Sequence, residues 1–182
     1  MKKVFTVIIA VVALAGVTIL ILSHKNKTNN QSSSGNGSYA AIEACNVLTS
    51  SAAQQILGTG AVKETSPADQ ESTSDIAFSN CAYSAGTTVD PPHMASVAVR
   101  SAKDSTGATS NKSVFTPAAR SSATQSVSGY GDNAYWDPGL GQLNILKGNN
   151  WYILSNFTGT SPTNGTATLA MAEQLAQQIK LQ

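Results

Sequence analysis

Charged residues are scarce in this 182-residue sequence, which has eleven basic and ten acidic side chains. They make up 12% of the chain, about half of the usual share in globular proteins. Because four basic residues lie within the first 27 positions, residues 39–182 carry seven basic and ten acidic side chains, a net charge of −3. No basic patch is present that could hold a phosphate backbone, so nucleic acid is not expected as a partner.

The residue types that ligate metals or act as nucleophiles are equally few. Two cysteines, Cys45 and Cys81, and two histidines, His24 and His93, occur in the chain, and no CxxC or HxxxH spacing connects them. His93 follows two prolines in an expected exposed loop, and no G-x-S-x-G motif places a serine for nucleophilic attack. The sequence therefore predicts no metal site, no cofactor and no catalytic residue, and the protein is not expected to be an enzyme.

What the sequence does contain is a long apolar run over residues 4–22, with basic residues on both sides. As a helix these 19 residues would span roughly 28 Å, close to the thickness of a bilayer core. The run exceeds the apolar core of a cleaved signal peptide, and neither an A-x-A site nor a cysteine for lipidation closes it. We therefore predict a transmembrane signal anchor over residues 1–23, rather than a cleaved signal peptide or a type IV pilin helix.

Residues 24–38, which follow the predicted anchor, read HKNKTNNQSSSGNGS and contain no apolar residue. This composition is typical of a flexible linker, whose fifteen residues would span about 20 Å as a coil. Because both flanks of the anchor are basic, their charge does not predict its orientation. The prediction of its orientation rests instead on the two cysteines, which could pair outside the cell. We expect a cytoplasmic N-terminus, a single pass through the cell membrane and one extracellular domain over residues 39–182.

Periodicity along residues 39–182 predicts an α+β domain. Thr49 or Ser50 is a suitable N-cap for a helix that ends at Gly58, and alternating residues predict a hairpin of strands 75–85 and 93–102. Further strands are expected at 133–136, 142–147 and 151–157, with a short helix from about residue 116 before them and an amphipathic helix over 166–181 after them. Short connections favour an antiparallel sheet with flanking helices packed on one face, preceded by a single N-terminal transmembrane helix.

Cys45 and Cys81 are an even pair in a domain predicted to lie outside the cell, which indicates one disulfide. The alternative is two free, buried thiols. Closing a loop across these 36 positions would stabilise the fold by about 4 kcal/mol in the loop-entropy model.

The most distinctive short stretch is GYGDNAYW, residues 129–136. Asp132 follows Gly131, and Asp137 precedes a Pro-Gly dipeptide, so both carboxylates are expected in turns where they accept hydrogen bonds from nearby backbone N–H groups. The alternative is a pair of carboxylates that act together in a cell-surface hydrolase.

Five aromatic residues crowd into 23 positions of a chain that is only 6% aromatic. Alternation along a strand sends neighbouring side chains to opposite faces of a sheet, so half of these residues are expected in the core. The other half could line a cleft. The candidate ligand-binding residues are therefore Tyr130, Tyr135, Trp136, Trp151 and Tyr152.

A family resemblance is carried by CNVLTSSAAQQILG around Cys45, by NCAY around Cys81, by GYGDNAYW followed by LNILKGNNWYIL, and by the terminal amphipathic helix. Over about residues 40–181 the chain resembles uncharacterised surface lipoproteins of the actinobacterial type, which are related to the extracellular sensor domain of mycobacterial receptor kinases. The resemblance implies a Mog1/PsbP-like fold, a disulfide between Cys45 and Cys81, and non-enzymatic binding of a ligand or partner. The chain departs from the family by lacking the lipidation cysteine and any kinase domain.

Together these features predict a membrane-anchored extracellular domain with a binding or sensor-like role. Its expected partners are the membrane, through the N-terminal helix, and an envelope protein or small ligand. A structural or assembly component of the cell envelope is the alternative function.

Overall fold

The computed structural model of the protein describes residues 39–64, 72–86, 92–159 and 164–182. All of these residues belong to one compact unit. The predicted anchor over residues 1–23 and the predicted linker over residues 24–38 lie outside the described residues. Within the described ranges, no helix has the length and apolar character needed to cross a bilayer.

The described residues form eight strands and four helices. The strands are β1 (Val62–Lys63), β2 (Ile76–Ala85), β3 (His93–Ala102), β4 (Gln125–Val127), β5 (Asn133–Asp137), β6 (Gln142–Lys147), β7 (Asn150–Gly159) and β8 (Gly165–Ala167). The helices are α1 (Ala44–Val47), α2 (Ser50–Leu57), α3 (Ser105–Ala119) and α4 (Leu169–Gln178). The predicted α+β class is confirmed.

All strands pair antiparallel in one sheet, in the order β1-β2-β3-β7-β6-β5-β4, and β8 pairs with the last residues of β7. The predicted hairpin is β2–β3, whose register runs from Ile76↔Ala102 to Ala85↔His93. Strand β7 then pairs with β3 on one side and with β6 on the other, which places β3 and β7 at the centre of the sheet.

One face of the sheet, which we call the closed face, is covered by α1, α2 and α4. Alternate strand residues point into this layer, because alternate side chains of a strand share a face, and most of those at the middle of the sheet are buried. These residues form the main core with helix residues such as Val47 of α1 and Leu175 of α4. The strand residues of the closed face are Cys81, Tyr83, Ala95, Val97, Val99, Ala134, Trp136, Leu143, Ile145, Tyr152 and Leu154.

The opposite face, which we call the open face, carries the intervening residues of the same strands and is covered at one end by α3. Phe115 of this helix is fully buried in a second, smaller core with Tyr135 and Leu146, against which Trp151 packs. The sequence pattern predicted flanking helices on one face, whereas the structure places helices on both.

Helix α3 is longer than the sequence pattern indicated. Instead of starting near residue 116, it starts at Ser105, and Pro117 lies in its last turn. The carboxylate of Asp104 caps it by accepting a hydrogen bond of 2.9 Å from the backbone N–H of Gly107. A helix with so many serines and threonines has little intrinsic stability, so its cap and its buried side must compensate. The buried residues are Gly107, Ala108, Asn111 and Phe115.

The other two long helices begin at threonine caps. Thr49 accepts a hydrogen bond from the N–H of Ala52 at 3.2 Å and so starts α2, which ends at Gly58 as predicted. Thr168 likewise accepts from the N–H of Met171 at 3.3 Å and starts α4. The C-terminal helix therefore begins later than predicted, because residues 165–167 pair with β7 instead.

Candidate functional site

Cys45 of α1 and Cys81 of β2 form a disulfide, with Cα atoms 5.0 Å apart and a separation of 36 residues. The predicted pairing is therefore confirmed. Two serine hydroxyls fasten the same N-terminal segment to the sheet, since Ser79 accepts from the N–H of Ala44 at 2.9 Å and Ser101 accepts from the N–H of Ile42 at 3.0 Å. The segment before α2 is thus held on the closed face by one covalent bond and by hydrogen bonds to Ser79 and Ser101.

The stretch GYGDNAYW contains the β4–β5 turn, and hydrogen bonds connect this turn to the β6–β7 turn at the same end of the sheet. The backbone N–H of Asp132 donates to the carbonyl of Leu146 at 2.8 Å. The side-chain Oδ2 of Asp132 accepts from the N–H of Gly148 at 2.6 Å. Gly131 has a φ of +56°, and a Cβ there would overlap the carbonyl oxygen of Leu146. Asp132 therefore holds the β6–β7 turn, sixteen residues further along the chain, and the prediction that its carboxylate accepts from nearby N–H groups of its own turn is wrong.

Asp137 lies at the other end of β5 and has a local role. Its Oδ1 accepts hydrogen bonds from the N–H groups of Gly139 at 2.9 Å and Leu140 at 3.1 Å, in the β5–β6 turn. Five strand positions separate Asp132 from Asp137, which corresponds to roughly 17 Å. The two carboxylates do not converge, so the alternative of a carboxylate pair in a hydrolase is wrong for these residues.

The structure does not bring the five candidate aromatic residues together in one cleft. Trp136 and Tyr152 are buried on the closed face, and half-buried Tyr130 packs against the same core. Tyr135 and Trp151 lie on the open face beneath α3. Strand alternation therefore predicted correctly which aromatic residues share a face. It did not predict that α3 would cover Tyr135 and Trp151.

Tyr135 and Trp151 enclose the ring of Phe115. The Phe115 centroid lies 5.0 Å from that of Tyr135 and 6.1 Å from that of Trp151, both with steep interplanar angles of edge-to-face type. The Arg100 guanidinium lies 5.5 Å from the centroid of the Trp151 ring, at cation–π distance. The Trp151 indole N–H donates to Oδ1 of Asn144 at 2.9 Å, so its polar edge is also engaged.

Burial changes the acidity of two of these tyrosines. It raises the pKa of Tyr135 to about 12, and the negative charge of Asp137 adds to the effect. Burial also raises the pKa of Tyr152, although the hydrogen bond that its hydroxyl oxygen accepts from the backbone N–H of Gln182 acts in the opposite direction. Both side chains are therefore neutral phenols at physiological pH.

A fully buried asparagine attaches α3 to the open face. The Nδ2 of Asn111 donates to the carbonyls of Arg100 at 2.9 Å and Asn149 at 2.8 Å, and its Oδ1 accepts from Nε of Arg100 at 3.2 Å. The sequence pattern gave no prediction for this residue. The available signal was its spacing, four positions before Phe115 on the same side of a helix.

Towards the other end of β2, β3 and β7, the open face is only partly covered. Its exposed and half-exposed side chains there, which we call the open patch, are Phe78, Asn80, Ala82, Ser96, Ala98 and Ile153. None of these side chains is charged. Small or apolar side chains lie next to an amide and a hydroxyl group. The patch is adjacent to Arg100, the cross-strand neighbour of Phe78.

A shallow, open groove also lies along the outer side of α3. It is lined by Asp75, Ser105, Thr106, Thr109, Ser110 and Ser113. The Thr109 hydroxyl donates to the carbonyl of Ser105 and the Ser113 hydroxyl to that of Ser110, so these groups are directed to their own helix. The hydrogen bond from Thr73 lowers the pKa of Asp75, with help from a backbone N–H and from the charges of Arg100 and Lys103. The groove therefore has an anionic end but no converging set of ligands.

His93 is the first residue of β3 and is half-buried, rather than in an exposed loop. Its Nε2 lies 2.7 Å from Oδ1 of Asn156, whose Nδ2 donates to the carbonyl of Met171 in α4 at 2.7 Å. Because that amide oxygen is an acceptor, Nε2 must be the protonated nitrogen. His93 thus helps to hold α4, and no group of three or more potential metal ligands occurs among the described residues.

The chain matches no known family model, no curated protein sequence and no solved structure.

Proposed function

We propose that the chain is a membrane-anchored protein whose domain, residues 39–182, lies outside the cell and binds an uncharged ligand through the open patch. The observation that carries this proposal is the unequal covering of the sheet. Three helices cover the closed face, whereas α3 covers only one end of the open face in the described part of the chain. The half-exposed remainder offers a contiguous surface of mixed apolar and hydrogen-bonding groups.

The chemistry of the open patch favours a neutral ligand. A charged ligand would lose hydration on this surface without gaining a counter-charge from the six side chains of the patch, and the adjacent Arg100 is already engaged with Asn111 and Trp151. Asn80 supplies an amide group and Ser96 a hydroxyl group. The small side chain of Ala98, beside both, leaves room for a ligand to approach the sheet closely. Such a surface is suited to the polar and apolar faces of an envelope glycan.

A location outside the cell is supported by the disulfide, because structural disulfides persist in oxidising compartments. The resemblance to surface lipoproteins and to receptor-kinase sensor domains supports the same location and a role in binding. A role without catalysis is supported by Asp132 and Asp137, whose carboxylates are engaged in separate turns.

Binding is tested with the full chain in detergent, by thermal shift against neutral oligosaccharides from cell envelopes, with charged peptides for comparison. A ligand at a hundred times its Kd should stabilise the folded state by about 2.7 kcal/mol. Ala98→Arg should abolish the shift because it places a bulky charge in the open patch. Ala170→Arg, at an exposed position of α4, is the matched control and should retain it. Equal shifts in both variants, or no shift with any oligosaccharide, would overturn the proposed binding.

The location is tested separately by adding protease to intact cells that make the full chain. Residues 39–182 should be digested from outside, whereas a cytoplasmic control protein remains intact. Protection of the domain in intact cells, with digestion only after lysis, would contradict an extracellular location and leave the binding test unaffected.

A further inference from the structure

The β7–β8 hairpin contains an asparagine that the structure exposes to a specific spontaneous reaction. Asn164 immediately precedes Gly165, the first residue of β8, and both residues are exposed. Glycine has no side chain to hinder its backbone nitrogen, so an Asn-Gly pair is the dipeptide in which that nitrogen most readily reaches the carboxamide carbon of the asparagine. Among the described asparagines, Asn164 alone is followed by glycine.

Strand pairing determines where the reacting nitrogen points. Gly159 of β7 is the partner of Gly165, but the N–H of Gly159 donates to the carbonyl of Pro92 at 2.7 Å, away from β8. In an antiparallel pair the residues opposite each other either exchange both hydrogen bonds or exchange none. Gly165 therefore makes no ladder hydrogen bond to Gly159, and its N–H points away from β7.

The two glycines also approach each other closely. A Cβ built on Gly159, which has a φ of +109°, would lie 2.7 Å from the Cα of Gly165, so neither position has room for a side chain between the strands. The backbone nitrogen of Gly165 is thus both exposed and outside the β7–β8 ladder, which are the two conditions for its attack on a neighbouring side chain.

We propose that Asn164 is a site of spontaneous conversion to aspartate and isoaspartate. The Gly165 nitrogen forms a bond to Cγ of Asn164 and loses its proton, the Cγ–Nδ2 bond breaks, and the side-chain nitrogen leaves with that proton as ammonia. The product is a five-membered succinimide. Water then adds to one of its two carbonyl groups and reopens the ring, which gives aspartate or, with the backbone running through the side chain, isoaspartate. No oxidant or reductant takes part.

The buried asparagines show why the site is selective. Asn111 and Asn156 are almost fully buried. The residues after them are lysine and phenylalanine, whose backbone nitrogens lie within an α-helix and a β-strand. Asn133 is exposed like Asn164 but precedes alanine, and it therefore serves as an internal control.

The test uses the full chain, purified in detergent and incubated at neutral to mildly alkaline pH. Peptide mapping by mass spectrometry follows each asparagine, isoaspartyl methyltransferase labelling identifies isoaspartate, and circular dichroism verifies that the protein remains folded. A synthetic peptide with the sequence around Asn164 gives the rate without a fold. Asn36, in the other Asn-Gly pair, lies outside the described residues and is mapped separately.

Asn164 should convert in the folded chain within about tenfold of the peptide rate, a difference in barrier of about 1.4 kcal/mol or less. Isoaspartate should exceed aspartate, Asn133 should remain unchanged over the same time, and Asn164→Gln should lose the labelling of this peptide. The proposal is overturned if Asn164 in the folded chain stays intact after the peptide has converted, or if Asn133 converts equally fast.

Discussion

The two faces of the sheet are made from neighbouring residues of the same strands, yet they lie in different environments. Val97 and Leu154 on the closed face are fully buried, whereas Ala98 and Ile153, their neighbours in sequence, are half-exposed on the open face. The difference comes from the helices. The closed face receives the apolar sides of three of them, and the open face receives α3, whose one large apolar anchor is Phe115. Stability is therefore concentrated on one face, and part of the other face is left uncovered by the described residues.

The largest expected loss of stability comes from removing the disulfide, which lies on the closed face. Replacing Cys45 and Cys81 together by alanine should lower the free energy of unfolding by about 4 kcal/mol, because the loop between them is no longer closed in the unfolded chain. Urea denaturation of the full chain in detergent measures the loss. Wild-type protein treated with a reductant is the control and should lose a similar amount. A double variant as stable as the oxidised protein would show that the closed face does not depend on this bond.

Two adjacent residues of β7 compare the faces directly. Leu154→Ala should destabilise the fold by about 3 kcal/mol because it leaves a cavity in the main core, whereas Ile153→Ala on the open face should cost about 1 kcal/mol. Both values follow from urea denaturation under identical conditions. Equal losses at the two positions would mean that the open face is as well covered as the closed face.

The third prediction concerns the attachment of α3. Asn111→Ala should cost about 2 kcal/mol because two buried backbone carbonyls, those of Arg100 and Asn149, lose their donor. Trp151 fluorescence should shift to the red as the helix loosens. Lys112→Ala, at the next and exposed position of the same helix, is the matched control and should change neither quantity. An unchanged fluorescence maximum in Asn111→Ala would indicate that Phe115 alone holds the helix.

The smallest effect is a pH dependence of the small core under α3. The pKa of Tyr135 is raised by burial to about 12, so its neutral form is favoured in the folded state. Its contribution to stability is complete below about pH 10 and is lost as the pH rises through about 12, since the unfolded chain then releases the proton more easily. Tyr135→Phe should remove the late phenolate step from an ultraviolet pH titration and flatten the alkaline loss of stability. Persistence of that step would assign it to another tyrosine.

Much of the fold follows from local patterns in the sequence. The alternation in residues 75–85 and 93–102 indicated the β2–β3 hairpin, the threonine and glycine around residues 50–57 indicated α2, and the cysteine count indicated the disulfide. These features depend on neighbouring residues or on simple chemistry, and so they were visible without a structure.

Features that depend on distant partners were not visible. Helix α3 is polar, and only its contact with Tyr135 and Leu146, residues more than fifteen positions away, shows which side is buried. The start of α4 moved because residues 165–167 find a strand partner in β7. For the candidate site, strand alternation correctly predicted that Tyr135 and Trp136 lie on opposite faces of the sheet. No local pattern indicated that Phe115 would cover Tyr135.

The position of the disulfide also determines how the domain would respond to a mechanical pull. A force applied to its N-terminal end first meets the hydrogen bonds of Ile42 and Ala44 to the sheet, and then the covalent link from Cys45 to Cys81 in β2. Helix α2 and strand β1 lie within the loop that this link closes. The 36 residues of the loop hold about 120 Å of chain that a pull from the N-terminal end cannot extend while the bond is intact. A domain tethered in this way would transmit tension straight to the strand that carries Phe78, Asn80 and Ala82 of the open patch.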